Sequence, residues 1–245
     1  MPTDKPTEEK LQKVLASIGL ASRRMVENYI LDERIIVNGE IAHIGQRVNR
    51  HEDELLFDGV PLRVRPDFVY YLLHKPLGVI STANDPQGRQ TVVDLLPQKP
   101  RVYPVGRLDK DTEGLILVTN DGDLTYRLTH PSHGVEKEYL VKVQTKIARG
   151  GLRRLREGIE LDDGLTSPAR VSQLQDGVVR IVIHEGRNRQ VRGMFEMIGH
   201  PVERLIRTRI GNLVDHALQS GQWRELTTME SVSYTHLTLP TKRIV

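Results

Sequence analysis

The sequence predicts an α+β protein with a small N-terminal unit and a larger domain built on a mixed, largely antiparallel sheet. In the first 65 residues, two helical patterns precede a hairpin signal. Further on, an apolar strand at 68–73 is followed by turns, a few helical patterns and strand-like runs at 79–81, 102–105, 115–119, 138–143 and 178–184. A charged, proline-containing stretch separates the two regions, so we place the domain boundary near Pro66.

Two short helices and a hairpin are predicted near the N-terminus. Apolar residues at helical spacing predict a first helix from Glu8 to about Gly19, whose glycine supplies a stop. Ser22 is suited to cap a second helix that runs to about Leu31. The Asn38-Gly39 pair inside the run 35–41 predicts a tight hairpin turn.

Two arginines, Arg23 and Arg24, fall in the first turn of the second helix, where the helix dipole disfavours cations. An exposed basic helix start beside a hairpin is suited to bind phosphates, and ordinary solvated arginines are the alternative. With the signatures Ala21-Ser22-Arg23-Arg24 and Val37-Asn38-Gly39, residues 9–65 resemble the S-four-type RNA-binding module. Residues 1–8 are predicted to be a disordered N-terminus.

Composition excludes several classes of chemistry. The chain has no cysteine, which rules out disulfides, thiolate zinc sites and cysteine nucleophiles. The nine histidines are scattered, so we expect no metal site. No run approaches the ~20 apolar residues of a membrane helix, and we expect a cytoplasmic protein without membrane contact. Basicity is local, with seven Arg against three Glu in residues 180–210.

Asp109 is the leading candidate for a catalytic residue. It lies in the segment Gly106–Gly114, between a tight turn and the apolar run 115–118, and a carboxylate at such an edge needs an ion pair or a chemical task. A surface turn is the plain alternative. A calcium loop is rejected, because Asn120 stands where an EF-hand needs a bidentate Glu.

An arginine-rich helix start is the second candidate region. The segment 185–189 leads from a buried strand into a helix predicted from about Gln190 to Gly199. Arg187, Arg189 and Arg192 surround that start, which makes physical sense if they meet an anion, either phosphate or a buried carboxylate. For Arg192 the alternative is a pair with Glu196, one helical turn on.

Tyr139 lies on a strand that alternates charged and bulky residues, and it faces inward if Leu140 does not. A buried tyrosine is usually a core residue. Its other use is as a platform on which a base stacks.

Taken together, three motifs resemble in order and spacing those of the pseudouridine synthases, in the ribosomal RNA group of the RsuA/RluB type. They are Gly106-Arg107-Leu108-Asp109, Glu138-Tyr139 and Arg189-Gln190-Val191-Arg192. The resemblance covers residues 9 to about 230, so the catalytic domain would span 66–230, and it is greatest to the large-subunit, RluB-like branch. It is also carried by His74-Lys75-Pro76-Leu77-Gly78-Val79, Thr119-Asn120-Asp121-Gly122-Asp123, His130-Pro131 and Glu185-Gly186-Arg187-Asn188-Arg189-Gln190.

The resemblance implies a reaction and roles for the site residues. Asp109 would be the nucleophile that attacks a flipped uridine, so that the base detaches, rotates and rejoins through carbon. Arg192 would form an ion pair with Asp109, and Tyr139 would stack on the base. Arg107 would hold the nucleotide. RNA contacts are expected from Arg187, Asn188, Arg189 and Gln190, together with Arg23 and Arg24 of the N-terminal module.

The same resemblance sets expectations for cofactors and partners. No cofactor or metal is needed, and the chain is expected to act as a monomer on ribosomal RNA or a subunit assembly intermediate. Large-subunit RNA is favoured over small-subunit RNA. Whether Asp109 attacks the sugar or the pyrimidine ring stays open. A dry pocket is required, because water at the sugar would turn isomerisation into hydrolysis.

Two features depart from the family pattern. Gly193 stands where the family commonly has a basic residue, and a helical glycine costs about 1 kcal/mol. Residues 231–245 do not read as the usual charged C-terminal helix, and we interpret them as a foreign tail.

Two other functions are compatible with parts of the sequence. A noncatalytic RNA-binding assembly factor would have no reason to retain Asp109 with Tyr139 and Arg192. A hydrolase of N-glycosidic bonds in nucleosides would also use an acid and a stacking aromatic, but the N-terminal RNA module favours polymeric substrates.

Overall fold

The computed structural model describes residues 8–63, 68–227 and 229–230, and these fall into two units. The first unit runs to Val69 and includes 99–102 and 120–122, while the second holds the remaining residues. The boundary near Pro66, residues 1–7 of the predicted N-terminal segment and the tail 231–245 lie outside the described residues. The described helices are each too short or too polar to traverse a lipid bilayer.

Among the described residues, the first unit contains two helices and six short strands. Their bounds are β1 Glu9–Lys10, α1 Leu11–Ser17, α2 Arg23–Leu31, β2 Ile35–Val37, β3 Glu40–Ile41, β4 Arg47–Val48, β5 Leu55–Phe57 and β6 Val60–Pro61. Strands β3, β2, β5 and β6 form a four-stranded antiparallel sheet in that order. Leu11, Val14 and Leu15 of α1 are completely buried against Val26 of α2 and Ile35 of β2.

Local sequence signals account for these elements. The Oγ of Ser22 accepts a hydrogen bond from the Met25 N–H at 3.2 Å, which caps α2 as predicted. At the hairpin between β2 and β3, Asn38 and Gly39 have φ of 51° and 84°. Positive φ at both central residues matches the strand twist, so the predicted hairpin is confirmed.

As far as Glu225, the described part of the second unit contains three α-helices and eleven strands. Their bounds are β7 Tyr70–Lys75, β8 Tyr103–Pro104, β9 Glu113–Thr119, α3 Gly122–Thr129, β10 Lys137–Val143, α4 Arg149–Glu157, β11 Glu160–Leu161, β12 Gly164–Leu165, β13 Arg170–Gln175, β14 Val178–Ile183, α5 Gln190–Glu196, β15 Val202–Ile210, β16 Leu213–Val214 and β17 Trp223–Glu225. Short 3₁₀ turns lie at Val92–Leu95 and Pro131–His133.

A nine-stranded sheet organises this unit. Its main path is β13-β14-β10-β15-β9-β7-β17, with β16 paired to β15 and β8 paired to β9. The pairing of β15 with β9 is parallel, and the other strand pairs in this sheet are antiparallel. Every residue of β9 is buried, as expected for a central strand. The predicted α+β class and mixed, largely antiparallel sheet are confirmed.

The parallel contact depends on Gly114. Its φ is 107°, and a Cβ at this position would lie 2.2 Å from the carbonyl oxygen of Arg207 and 2.6 Å from the Arg207 nitrogen. Only glycine allows β9 and β15 to approach so closely. This approach brings the end of the Asp109 turn against β15.

Three predicted elements differ from the structure. The first helix, predicted from Glu8, begins at Leu11, because Glu9 and Lys10 pair with β4 as a short strand. The strand-like run 79–81 forms only an isolated bridge between Ile80 and Thr91, because the chain enters the 3₁₀ helix Val92–Leu95 directly after Thr91. The helix predicted to reach Gly199 ends as an α-helix at Glu196, and Gly199 donates instead to the Glu196 carbonyl in a closing turn.

Candidate active site

The turn that carries Asp109 is fixed by its backbone. The Leu108 N–H donates to the Ser81 Oγ at 3.1 Å, while the Ser81 hydroxyl donates to the Leu108 carbonyl at 2.8 Å. The Thr112 N–H closes the turn by donating to the Asp109 carbonyl at 3.0 Å. The Asp109 carboxylate itself is 37% exposed and, within the described part of the chain, accepts no hydrogen bond. The acid is therefore held in place yet available to a ligand.

Asp111, two residues after Asp109, forms ion pairs with the neighbouring Arg189 and Arg192. Arg189 donates to both Asp111 carboxylate oxygens, at 3.2 and 3.0 Å. Arg192 donates from Nη2 to the Asp111 carbonyl at 2.6 Å and from Nη1 to the Val202 carbonyl at 3.2 Å. Its Nε lies 3.2 Å from Asp111 Oδ2, which is an ion pair by distance without a hydrogen bond. The bond from Arg189 and the charge of Arg192 lower the pKa of Asp111.

The expected ion pair between Arg192 and Asp109 is therefore absent, and so is the alternative pair of Arg192 with Glu196; among the described residues, the acidic partner of Arg192 is Asp111. The physical reason is that Arg192 is already committed to two carbonyls and to the Asp111 side chain. The cation nearest Asp109 is instead Arg189, whose Nη1 lies 4.0 Å from Asp109 Oδ2. Burial lowers the pKa of Arg192, whereas the Asp111 carboxylate acts to raise it.

Tyr139 lies on β10 between β14 and β15, opposite Ile181 and Arg207. Only 8% of the residue is exposed, while Leu140 beside it is half-buried. The prediction that Tyr139 faces inward is confirmed. Its ring forms part of the wall of the cleft that holds Asp109.

A single cleft of about 470 Å³ joins these residues, a volume in the usual range for small-molecule sites. Asp109, Tyr139, Arg189 and Arg192 all line it. Apolar side chains supply much of the wall, as expected for a site that must exclude water. They are Val105, Leu108, Leu117, Leu128, Ile183, Val191, Leu205 and Ile210.

The remaining predicted RNA-binding residues have different environments. Arg107 and Asn188 are exposed at the cleft and make no hydrogen bond or ion pair within the described ranges. Arg187 instead holds the β11–β12 hairpin, donating to the carbonyls of Gly164 at 2.8 Å and Leu165 at 2.6 Å. These contacts give Arg187 a structural use, and its RNA contact stays a prediction.

Gln190 also lines the cleft but is buried, with 3% of the residue exposed. Its amide donates to Glu185 through a short hydrogen bond, and its oxygen accepts from the Arg187 N–H at 3.2 Å. Glu185 in turn accepts from the Ser167 N–H at 3.0 Å. Gln190 therefore fixes the start of α5.

Arg23 and Arg24 lie outside this cleft, in the first unit. Both side chains are exposed in the first turn of α2. Neither makes a hydrogen bond or ion pair with the residues that the structure describes.

Three buried or half-buried cations near the site were not predicted. Lys75 is completely buried, and its amine donates to the carbonyls of Pro76 at 2.9 Å and Thr112 at 2.8 Å. Lys137 and Arg207 both line the cleft. Strand parity was an available signal for Lys137, because it is two residues from Tyr139 on the same strand and shares its face.

Gly193 faces the β11–β12 hairpin from the middle of α5. A Cβ at this position would lie 3.3 Å from Leu161 Cδ2. The glycine thus leaves room for this leucine against the helix.

Comparison with known proteins identifies the class. The family model described as RNA pseudouridylate synthase matches residues 69–197, and the S4 domain model matches residues 9–55. The first match alone covers more than half of the chain. The chain therefore belongs to the RNA pseudouridylate synthase family and is a pseudouridine synthase with an N-terminal S4 domain, which confirms the resemblance described above.

Two of the relatives carry the name of a particular branch of the family. The chain is 44% identical over 230 residues to ribosomal large subunit pseudouridine synthase B of Bacillus subtilis (strain 168), covering 91% of this chain and 93% of the relative. It is 41% identical over 237 residues to the protein of the same name from Vibrio vulnificus (strain CMCP6), covering 92% and 74%.

A solved structure agrees with this assignment. A crystal structure of a pseudouridylate synthase is 32% identical and superposes with a TM-score of 0.68. The similarity covers 92% of this chain and 99% of that one.

Proposed function

We propose that this chain isomerises a uridine of ribosomal RNA to pseudouridine and that Asp109 is the nucleophile. The observation that carries the proposal is the position of Asp109. It lies on a turn fixed by backbone hydrogen bonds, in a cleft lined by Tyr139 and by apolar side chains. Its carboxylate accepts no hydrogen bond from the described residues. Such a cleft suits a flipped base, and its apolar wall disfavours water that would divert the reaction to hydrolysis.

The residues around Asp109 have distinct parts in this proposal. Tyr139 stacks on the flipped base, and the guanidinium of Arg189 lies 4.0 Å from the Asp109 carboxylate and attracts it. Arg192 acts through Asp111, holding the turn from its far side. Arg107 and Asn188, exposed at the cleft, contact the RNA backbone near the target.

Large-subunit RNA is the proposed substrate. The support is the name of the relatives from Bacillus subtilis and Vibrio vulnificus, each a ribosomal large subunit pseudouridine synthase B. The S4 domain match in residues 9–55 supports an RNA polymer rather than a free nucleoside. The chain acts as a monomer on naked RNA or on an assembly intermediate.

The testing experiment is pseudouridine mapping of ribosomal RNA from both subunits after incubation with the wild type, Asp109→Ala and Asp109→Asn. Asp176→Asn is the matched control, because Asp176 is an exposed acid that pairs only with Lys146 among the described residues. We expect one new pseudouridine in large-subunit RNA from the wild type and the control, and none from either Asp109 variant, with RNA binding retained.

Other outcomes of this experiment distinguish the alternatives. A pseudouridine formed in small-subunit RNA would change the proposed substrate from large-subunit to small-subunit RNA. Full activity in either Asp109 variant would remove the nucleophile assignment. Binding without modification by the wild type, on naked RNA and on assembly intermediates alike, would favour a noncatalytic assembly factor.

A further inference from the structure

Arg207 is a buried cation in the cleft wall that forms no ion pair with the residues that the structure describes. Only 4% of the residue is exposed. Its Nε donates to the Leu115 carbonyl at 2.7 Å, but its Nη2 is buried and has no hydrogen-bond partner among the described residues. A buried guanidinium with an unused N–H is costly unless a ligand satisfies it.

A second cation lies in the same wall. Lys137 lines the cleft beside Arg207 and forms no ion pair within the described ranges. Burial lowers the pKa of Lys137, and the positive charge of Arg207 lowers it further. Two positive side chains that repel each other in this wall, neither of them in an ion pair with a described carboxylate, indicate that a ligand supplies electron-rich oxygens there.

A β-bulge creates this arrangement. Between β10 and β15 the register shifts so that Glu138 faces Arg209 while Tyr139 faces Arg207, and Thr208 is the extra residue. Residues 207 and 210 would lie on opposite faces of a regular strand, yet both line the cleft. The bulge therefore turns Arg207 toward the ring of Tyr139 and the ligand space.

The depth of Arg207 identifies which part of a nucleotide it meets. A flipped nucleotide remains joined to its chain, so its phosphates stay at the mouth, where Arg107 and Asn188 are exposed. The group that reaches a side chain as buried as Arg207 is the base. The acceptors on a uracil ring are its two carbonyl oxygens.

We infer that Lys137 and Arg207 bind the carbonyl oxygens of the flipped uracil and stabilise the negative charge that the ring acquires when the base detaches. This inference rests on the proposed function. When the C1′–N1 bond breaks, its electron pair goes to the ring and is delocalised onto O2 and O4. When the attack is at the sugar, the Asp109 carboxylate bonds to C1′ as the C1′–N1 bond breaks, and C5 then displaces this carboxylate to form the C1′–C5 bond. C5 loses its proton and N1 gains one. If Asp109 attacks the ring first, the charge again falls on a carbonyl oxygen.

The test compares Lys137→Met with Lys142→Met, which removes an exposed lysine from the same strand. Single-turnover conversion of the mapped uridine and the Kd for its RNA are measured for both. We expect Lys137→Met to lower the rate by about 100-fold, as for loss of one preorganised donor to a developing anion, while the Kd changes little. Lys142→Met should match the wild type.

A 5-fluorouridine substrate separates charge stabilisation from a structural role. Fluorine withdraws electron density and stabilises the ring anion by itself, so the loss of substrate consumption in Lys137→Met should shrink several-fold on the fluorinated RNA. Arg207→Lys should behave likewise where it folds, as judged by its melting temperature.

The outcomes are separable. Wild-type rates in Lys137→Met, or an equal loss on both RNAs, would overturn the inference while leaving the proposed function intact. A wild type that makes no pseudouridine would overturn both.

Discussion

At the residue scale, Asp109 and Asp111 have different partners, and this explains how one carboxylate can lie near several arginines without forming a hydrogen bond to them. Asp111 takes two hydrogen bonds from Arg189 and lies against Arg192. Because both arginines contact Asp111, the carboxylate oxygens of Asp109 are available to hydrogen-bond a ligand. The positive charge of Arg189 is nevertheless 4.0 Å away. Charge-assisted bonds of this kind are strong and directional, so Asp111 fixes both arginines.

Tyr139 gives a prediction at this scale. Stacking needs the ring and not the hydroxyl, so Tyr139→Phe should keep more activity than Tyr139→Ala, which loses the ring and opens a cavity costing about 3–5 kcal/mol. Single-turnover rates and denaturation of both variants provide the measurement. If alanine proved as active as phenylalanine, the stacking role would be excluded.

Lys75 gives a pH-dependent prediction. Burial lowers its pKa to about 8, against the opposing charges of Asp111, Glu113 and Asp109. The pKa of a lysine in an unfolded chain is about 10.4. Between these values the unfolded chain binds a proton that the folded chain lacks, so the free energy of unfolding contributed by this group rises with pH from about 8 to about 10.

We therefore expect the stability of the wild type relative to Lys75→Met to increase across this window. Urea denaturation at intervals from pH 7 to pH 10 measures the difference. Lys142→Met, an exposed control, should run parallel to the wild type. Parallel curves for Lys75→Met would show that Lys75 titrates normally.

At the element scale, the β9–β15 contact is the most demanding feature of the sheet. Gly114→Ala would place a methyl group within 2.2 Å of the Arg207 carbonyl oxygen at a φ of 107°, so we expect a loss of about 3 kcal/mol or more and reduced activity. Gly150→Ala in α4 is the control. It has ordinary φ and no neighbour within 4 Å, and it should stabilise the helix by up to about 1 kcal/mol.

Thermal denaturation of the two variants checks this prediction. A Gly114→Ala protein as stable as the wild type would mean that β9 and β15 separate without penalty. Circular dichroism of the folded variant would distinguish a local shift from general unfolding.

Elements with local signals were predictable from the sequence. The cap at Ser22 and the Asn38-Gly39 turn each depend on a few adjacent residues, and both were found. The parallel pairing of Gly114 with Arg207 joins segments 93 residues apart, and no local pattern encodes it. Residues 79–81 have strand composition but form a single bridge, because their partner segment enters a 3₁₀ helix directly after Thr91.

The sequence predicted which residues line the site better than it predicted which of them contact each other. Asp109, Tyr139 and Arg192 do line one cleft. The partner of Arg192 was missed, because the sequence pattern does not distinguish between two acids that lie two residues apart on one turn. Gln190 was expected at the RNA, but its side chain turns inward to Glu185.

At the scale of the whole molecule, exposed arginines occur in both units, although the net charge is only +3. The exposed Arg23 and Arg24 are expected to contact RNA phosphates from the S4 domain. Each contact releases counterions, so Arg23→Ala or Arg24→Ala should weaken binding and reduce the slope of log Kd against log salt by roughly 0.7–0.9.

Titration of RNA binding from 50 to 200 mM salt, roughly the range over which such contacts are sensitive, provides the measurement. Arg153→Ala is the control, because Arg153 is exposed on α4 and already paired with Glu157. An unchanged slope in the Arg23 and Arg24 variants would show that these arginines stay solvated and do not contact RNA phosphates.

The braced turn around Asp109 has a consequence for target choice. Its backbone is tied to Ser81 and its far end to two arginines before any RNA arrives, so under the proposed function the enzyme has little to rearrange on encounter. The conformational work then falls on the RNA, whose uridine must leave its stack. Uridines that are already loosely stacked are extruded more cheaply, so a rigid receptor of this kind ranks its targets by how readily each one opens.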